Sequence, residues 1–287
     1  MNNKYKQFVE LLNSAKKHKD IILLCRGDSK ESAFKKLGLE IVYNTIEQFA
    51  EKLYFYGEKS KYFWNKKINS NSFDFDINDT SDAIFIYIFL LFKNLIQSPQ
   101  NEASKKYLKK NRKITLFFEN NDNQEVFIKT IMTLSDEKRL LYRNYYFRIL
   151  HQLGKTDYYK NSMLISSSTK KSVAKKFSKG GIIINFWDFN FNNDNFFAEN
   201  LPYFVGKPYK EQKEISLFAA ILPHYIYSFE CDGYVYPNPS IETTKDLKSA
   251  ILGGLEIQQD NFVKRLKSET FYAKGISRIS DTIYWEI

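Results

Sequence analysis

The chain has 287 residues, 17% of them aromatic, and 43 Lys and Arg against 33 Asp and Glu give a net charge of +10. That supplies a substantial core, as one large domain or a catalytic domain with a helical elaboration, and the charge fits either an anionic partner or ordinary solvation of scattered lysines. Two cysteines exclude a disulfide framework, the N-terminus lacks a secretory apolar stretch, and the most apolar run (83–92) falls short of the roughly 20 residues of a membrane span, so a cytoplasmic protein with no membrane partner is expected.

Residues 5–18 place Phe8, Leu11, Leu12 and Ala15 at helical spacing and predict an opening helix. Ile21 to Cys25 is a buried-strand run, stopped by Arg26-Gly27-Asp28-Ser29. Ile46, Phe49, Ala50 and Leu53 share one face of a second helix over 45–56. The Asn-, Ser- and Asp-rich stretch from Glu58 to Asp82 reads as a long loop or insertion, followed by an apolar helix over 83–97 that ends before Pro99. A short strand over 114–118 and helices over 123–134 and 136–152 complete a mostly helical region spanning 58–160.

From Ser162 the pattern turns to strands, at 162–168, 182–187, 213–222 and 225–230. Between them lies an Asn- and Phe-rich loop over 188–210, long enough to expect a function. A helix over 243–268 and a last strand over 282–287 close the chain.

Three pieces carry chemistry. Arg26-Gly27 ends an apolar strand, and its guanidinium suits a phosphate while the glycine permits close approach of a ligand. Ser166-Ser167-Ser168 ends a second strand and offers uncharged hydroxyls that can orient a carboxylate. Gln212-Lys213-Glu214 opens a third, where extended geometry would project Gln212 and Glu214 to the same face. His18, His151 and His224 have no metal-ligand spacing with either cysteine, so no metal is expected. No Gly-rich phosphate loop of the P-loop or Rossmann type occurs, which argues against an ATPase or a dehydrogenase.

Together these pieces resemble the arginine–serine–glutamate class of mono-ADP-ribosyltransferases, in its bacterial toxin-like, Gln-x-Glu form. The most specific match is the serine motif, followed after four residues by Val173-Ala174-Lys175-Lys176-Phe177. The chain departs from the family at Ser167, where threonine is usual, and in the long gap between Arg26 and Ser166. Arg143, in Leu141-Tyr142-Arg143, is a rival to Arg26, which the strand context favours. The resemblance implies an α+β protein, a single domain over 1–287 with a split β-sheet core and a helical insertion.

It also implies NAD as co-substrate and cleavage of the nicotinamide–ribose bond. On that likeness Glu214 stabilises the oxocarbenium-like ribose, Ser166 orients Glu214, Ser168 supports the strand or the cofactor, Arg26 holds a phosphate, and Gly27 offers backbone bonds to the nicotinamide amide. The aromatic loop after Trp187 is expected to cover the nicotinamide. Gln212, where the family's arginine-modifying members carry Glu, argues against an arginine acceptor and, with the charge, tilts towards RNA or DNA over protein. Hydrolysis of NAD by water and a non-enzymatic nucleic-acid-binding role stand as alternatives. The expected setting is a toxin or phage-defence effector, with an antitoxin or inhibitor protein as a further partner.

Overall fold

The computed structural model describes residues 3–17, 21–60, 80–154, 162, 164–189, 200–218, 220–221 and 223–239. The protein is α+β, with nine α-helices and a six-stranded sheet among the described residues. The chain divides into two compact units. One comprises Met1–Asn71, Ile165–Phe191 and Gln212–Ile287, the other Ser72–Leu164 and Asn192–Glu211.

The first unit is built on the sheet. Helix α1 (Asn3–Lys17) buries Phe8, Leu12 and Ala15, and Lys16 and Lys17 in its last turn complement the helix dipole. Strand β1 (Ile21–Asp28) runs three residues further than the sequence pattern indicated, because Arg26, Gly27 and Asp28 pair with Ile184, Ile183 and Ile182. Ser29 then caps α2 (Lys30–Lys36), a helix with too few apolar positions to announce itself. Helix α3 (Ile46–Tyr56) opens on a Thr45–Gln48 capping box. Gly57 ends it at φ +67°, and a Cβ there would lie 2.1 Å from the Ile221 carbonyl oxygen. That close approach brings β2 (Glu58–Lys59) alongside β6 (Ala220–Ile221).

The remaining elements of this unit are β3 (Leu164–Ser168), α9 (Lys171–Ser178), β4 (Ile182–Phe189), β5 (Glu214–Phe218), β7 (Ile226–Cys231) and β8 (Tyr234–Pro237). The sheet order is β5-β3-β1-β4-β7-β8, with β1 antiparallel to both β3 and β4. Alternation along β1 divides its contacts. Leu24 joins the core formed with Phe34, Phe49, Leu53, Ile184 and Phe229, whereas Cys25 packs with Ala174 and Ile183.

The second unit is helical. It contains α4 (Asp82–Gln97), α5 (Glu102–Lys110), α6 (Arg112–Glu119), α7 (Asn123–Met132) and α8 (Asp136–Gly154). Helix α4 buries Phe85, Ile88, Phe89, Phe92 and Ile96 at helical spacing. Its rings meet those of Phe118, Phe127, Tyr146 and Phe204 in one aromatic cluster. The strand expected over 114–118 is instead part of α6. Ile114, Phe117 and Phe118 are three and four apart, and Phe118, fully buried, satisfies that face as a helix. The helix expected over 243–268, the strand over 282–287 and most of the loop over 58–82 lie outside the described residues.

At Gly27, an added Cβ would stand 1.8 Å from the Ala174 carbonyl oxygen and 2.7 Å from its carbon, both backbone atoms of α9. Gly27→Ala is expected to destabilise the fold by about 3 kcal/mol, the upper range for overpacking. Urea unfolding measures this, and an unchanged midpoint would show that α9 does not hold β1 so closely.

Candidate functional site

A cavity of about 280 Å³ opens in the sheet unit, lined by β1, β3, α9 and the segment leading into β5. Arg26, Gly27, Ser166, Ser168, Gln212 and Glu214, the residues singled out in the sequence, all line it. Their convergence follows from topology, because β5, β3 and β1 are consecutive neighbours in the sheet.

Arg26 is fixed on several sides. Its Nε donates to Glu58 Oε1 at 2.5 Å, one Nη donates to the Ser166 carbonyl oxygen at 2.7 Å, and the other faces Asp28 at 3.7 Å. Lys36 joins the cluster, pairing with Glu58 at 3.0 Å and also with Asp28. Burial opposes the charge on Arg26, but the carboxylates of Glu58 and Asp28, with a smaller contribution from Glu214, hold its pKa above the ordinary value. It is therefore a permanent, oriented cation whose second Nη retains N–H groups for a ligand oxygen.

The serines act mainly on backbone. Ser167 Oγ donates to the Ile215 carbonyl at 2.6 Å, and Ser168 Oγ donates to that of Gln212 at 2.6 Å while accepting from the Lys170 amide at 2.9 Å. These bonds fasten the Gln212–Ile215 segment to β3. Gln212 closes a 3₁₀ turn (Lys210–Gln212), and Lys213 takes the left-handed conformation at φ 47°. The two side chains thus reach the cavity through a turn, not through the extended strand that the alternation argument supposed. Ser216, two residues further along β5, donates to Glu214 Oε1 at 3.2 Å.

Gly27 lines the cavity, but α9 by itself demands a glycine there. Phe177, the last residue of the Val-Ala-x-x-Phe pattern, is 54% exposed and is the one aromatic ring of the lining among the described residues. Cys25 also lines the cavity. Burial pushes its thiol up to about 11, which keeps it protonated and a poor nucleophile at neutral pH.

Residues 200–209 of the aromatic loop are tied to the helical unit through Tyr107, Asn111, Tyr145 and Tyr146, and 190–199 lie outside the described residues. Arg143, the rival to Arg26, is buried in α8. Glu58, Lys36 and Asp28 were missed in the sequence; Asp28, two residues from Arg26 on one strand, shares its face, whereas nothing in the spacing of Lys36 or Glu58 joins them to Arg26. Among the described residues no group of three or more His, Cys, Asp or Glu side chains could hold a metal ion, and no helix is long and apolar enough to cross a membrane.

No family model, no curated protein and no solved structure matches this chain.

Burial tends to raise the pKa of Asp28, but Lys36 and Arg26 together overcome it and leave the value lowered. The unfolded chain therefore binds the proton more readily. The resulting stability is fully present above the ordinary aspartate value of about 3.9 and is lost as pH falls through the lower, folded value. Asp28→Asn should lower the melting temperature at pH 7 and flatten its decline below about pH 4. A variant whose melting curves track the wild type across that acid range would show that Asp28 is not coupled to the cluster.

Proposed function

We propose that this chain is an NAD-dependent mono-ADP-ribosyltransferase of the arginine–serine–glutamate class, with the sheet unit as its split β-core. The observation that carries this reading is the convergence of Arg26, Ser166, Ser168, Gln212 and Glu214 on one cavity through three adjacent strands. The serine and Val-Ala-x-x-Phe pattern adds to it.

The chemistry follows from where the charges sit. Arg26 takes a phosphate oxygen of NAD, and Glu214 faces the nicotinamide ribose. The cavity is near the lower end of the roughly 300–1,000 Å³ typical of small-ligand sites, so it takes one end of the dinucleotide. The glycosidic C–N bond breaks, and its electron pair leaves with the nicotinamide nitrogen, neutralising the pyridinium. Positive charge then develops on the ribose, where the fixed Glu214 carboxylate stabilises it. The acceptor's lone pair forms the new bond to the same carbon, and the acceptor proton is released.

Ser216 and the Ser168 anchor beneath Gln212 keep this segment from moving as the charge appears. Phe177 offers a ring face to the bound base. Gln212, an amide that both donates and accepts, matches the edge of a nucleobase or another amide better than a guanidinium, which favours RNA or DNA over an arginine side chain. The role as a toxin or phage-defence effector restrained by an inhibitor protein rests on the resemblance alone.

Labelled NAD incubated with the protein and separate pools of RNA, DNA and cell protein tests the reaction. Label should enter one pool, and Glu214→Gln should reduce its transfer at least about 100-fold, the scale for loss of a transition-state electrostatic contact. Free ADP-ribose without labelled polymer would replace transfer by NAD hydrolysis. NAD left intact in every pool would remove the transferase reading.

A further inference from the structure

The helical unit carries a second cavity, of about 630 Å³, whose lining combines Lys110, Arg112 and Lys113 with the apolar surfaces of Phe117, Tyr203 and Val205. We propose that it is a binding groove for single-stranded nucleic acid. Three observations support that occupant.

The first is unneutralised charge. Lys110, Arg112 and Lys113 are exposed and, among the described residues, form no ion pair or side-chain hydrogen bond, whereas nearby Lys105 and Lys129 pair with Glu102 at 2.7 Å and Glu125 at 2.6 Å. Among the described residues no carboxylate lines the groove. Arg112 and Lys113 stand in the first turn of α6, a turn without an acidic residue, so they add to the positive end of its dipole. Three adjacent cations with no counter-charge are unfavourable alone and complementary to a polyanion.

The second is the rigid apolar wall. The backbone of this wall is clamped to the helices at Pro202, Phe204, Val205 and Gly206. Pro202 accepts from Tyr146 Oη, and Phe204 accepts from Tyr145 Oη at 2.9 Å while donating back to it at 2.6 Å. Val205 donates to Asn111 Oδ1 at 2.6 Å, and Gly206 accepts from Tyr107 Oη at 2.9 Å. Phe204 is driven inward, stacked on Phe92 and Tyr107, so its neighbours Tyr203 and Val205 turn out, 43% and 61% exposed. A preformed apolar surface costs little ordering entropy on binding.

The third is the juxtaposition itself. Cations that neutralise phosphates beside ring surface that stacks bases is the combination by which proteins hold single strands without reading sequence. An acidic peptide would use the charges but not the rings. A duplex keeps its base faces stacked and out of reach of Tyr203.

Anisotropy of a fluorescein-labelled oligouridylate of about twelve nucleotides, titrated with the full chain across a NaCl series, tests this, and without NAD it is independent of the transferase reading. Three phosphate contacts on a single strand give a slope of log K against log [NaCl] near −2, at about −0.7 per contact. The exposed-residue variant K110Q/R112Q/K113Q should flatten that slope and weaken low-salt binding at least about tenfold. Tyr203→Ala should weaken binding about tenfold with the slope retained, as loss of one stacking platform does. Absence of binding, a triple variant indistinguishable from wild type, or displacement by polyglutamate or a duplex as effective as by unlabelled oligouridylate would overturn the proposal.

Discussion

A buried charge cluster at the end of β1 is the constraint on which the cavity depends. Arg26 and Lys36 share the Glu58 and Asp28 carboxylates, and all four side chains are largely withdrawn from water. Removing one member of such a cluster leaves its partners buried and uncompensated, a change that commonly costs about 3–5 kcal/mol. The cluster ties β1 to α2 and β2, and the Arg26 bond to the Ser166 carbonyl extends it to β3. The guanidinium thereby stays charged and in one place where an isolated arginine would seek solvent. Glu58 Oε2 is buried without a hydrogen-bond partner among the described residues, which adds to the cost of burying that carboxylate.

Opposite in character, the α9 side of β1 is set by contact and not by charge. Gly27 lets the Ala174 backbone come within a distance no Cβ would allow, and Ala174 packs with Cys25 and Ile183. Helix α9 follows directly from the serine strand, so the same approach that needs Gly27 also places Phe177 at the cavity. One glycine thus serves packing and access together. The serine hydroxyls complete the arrangement by holding the Ile215 carbonyl of β5 and the Gln212 carbonyl just before it, which leaves the carboxylate of Glu214 to face the cavity.

Much of this was legible in the sequence, and the exceptions have physical causes. Arg26, the three serines, Gln212 and Glu214 stood out because each ends or opens an apolar strand run, and the sheet brings them together. The helices over 5–18, 45–56, 83–97 and 136–152 were legible from their apolar period, and the observed helices match them within a few residues at each end. The 114–118 run misled because five residues are too few for the period to decide between helix and strand. Glu58 looked like the start of a polar loop, since ion pairing across 32 residues leaves no local trace. The 200–209 segment is held within the helical unit, where tyrosine hydroxyls on α5 and α8 take up its backbone groups, and residues 190–199 of the same loop lie outside the described residues.

The two units divide the chemistry that the composition only hinted at. The net charge of +10 is not a uniform coat, because in the sheet unit the cations around the cavity are matched by carboxylates, and in the helical unit three remain unmatched beside exposed rings. On the proposed reading, Arg26 and Glu214 frame one NAD site. The most direct measurement is a calorimetric titration of NAD into the Glu214→Gln variant, in which binding is separated from turnover. An Arg26-centred site predicts a single-site isotherm that weakens roughly tenfold when Arg26→Lys is added, because lysine keeps the charge and loses the planar fork. No NAD-dependent heat, or an affinity indifferent to Arg26→Lys, would contradict it.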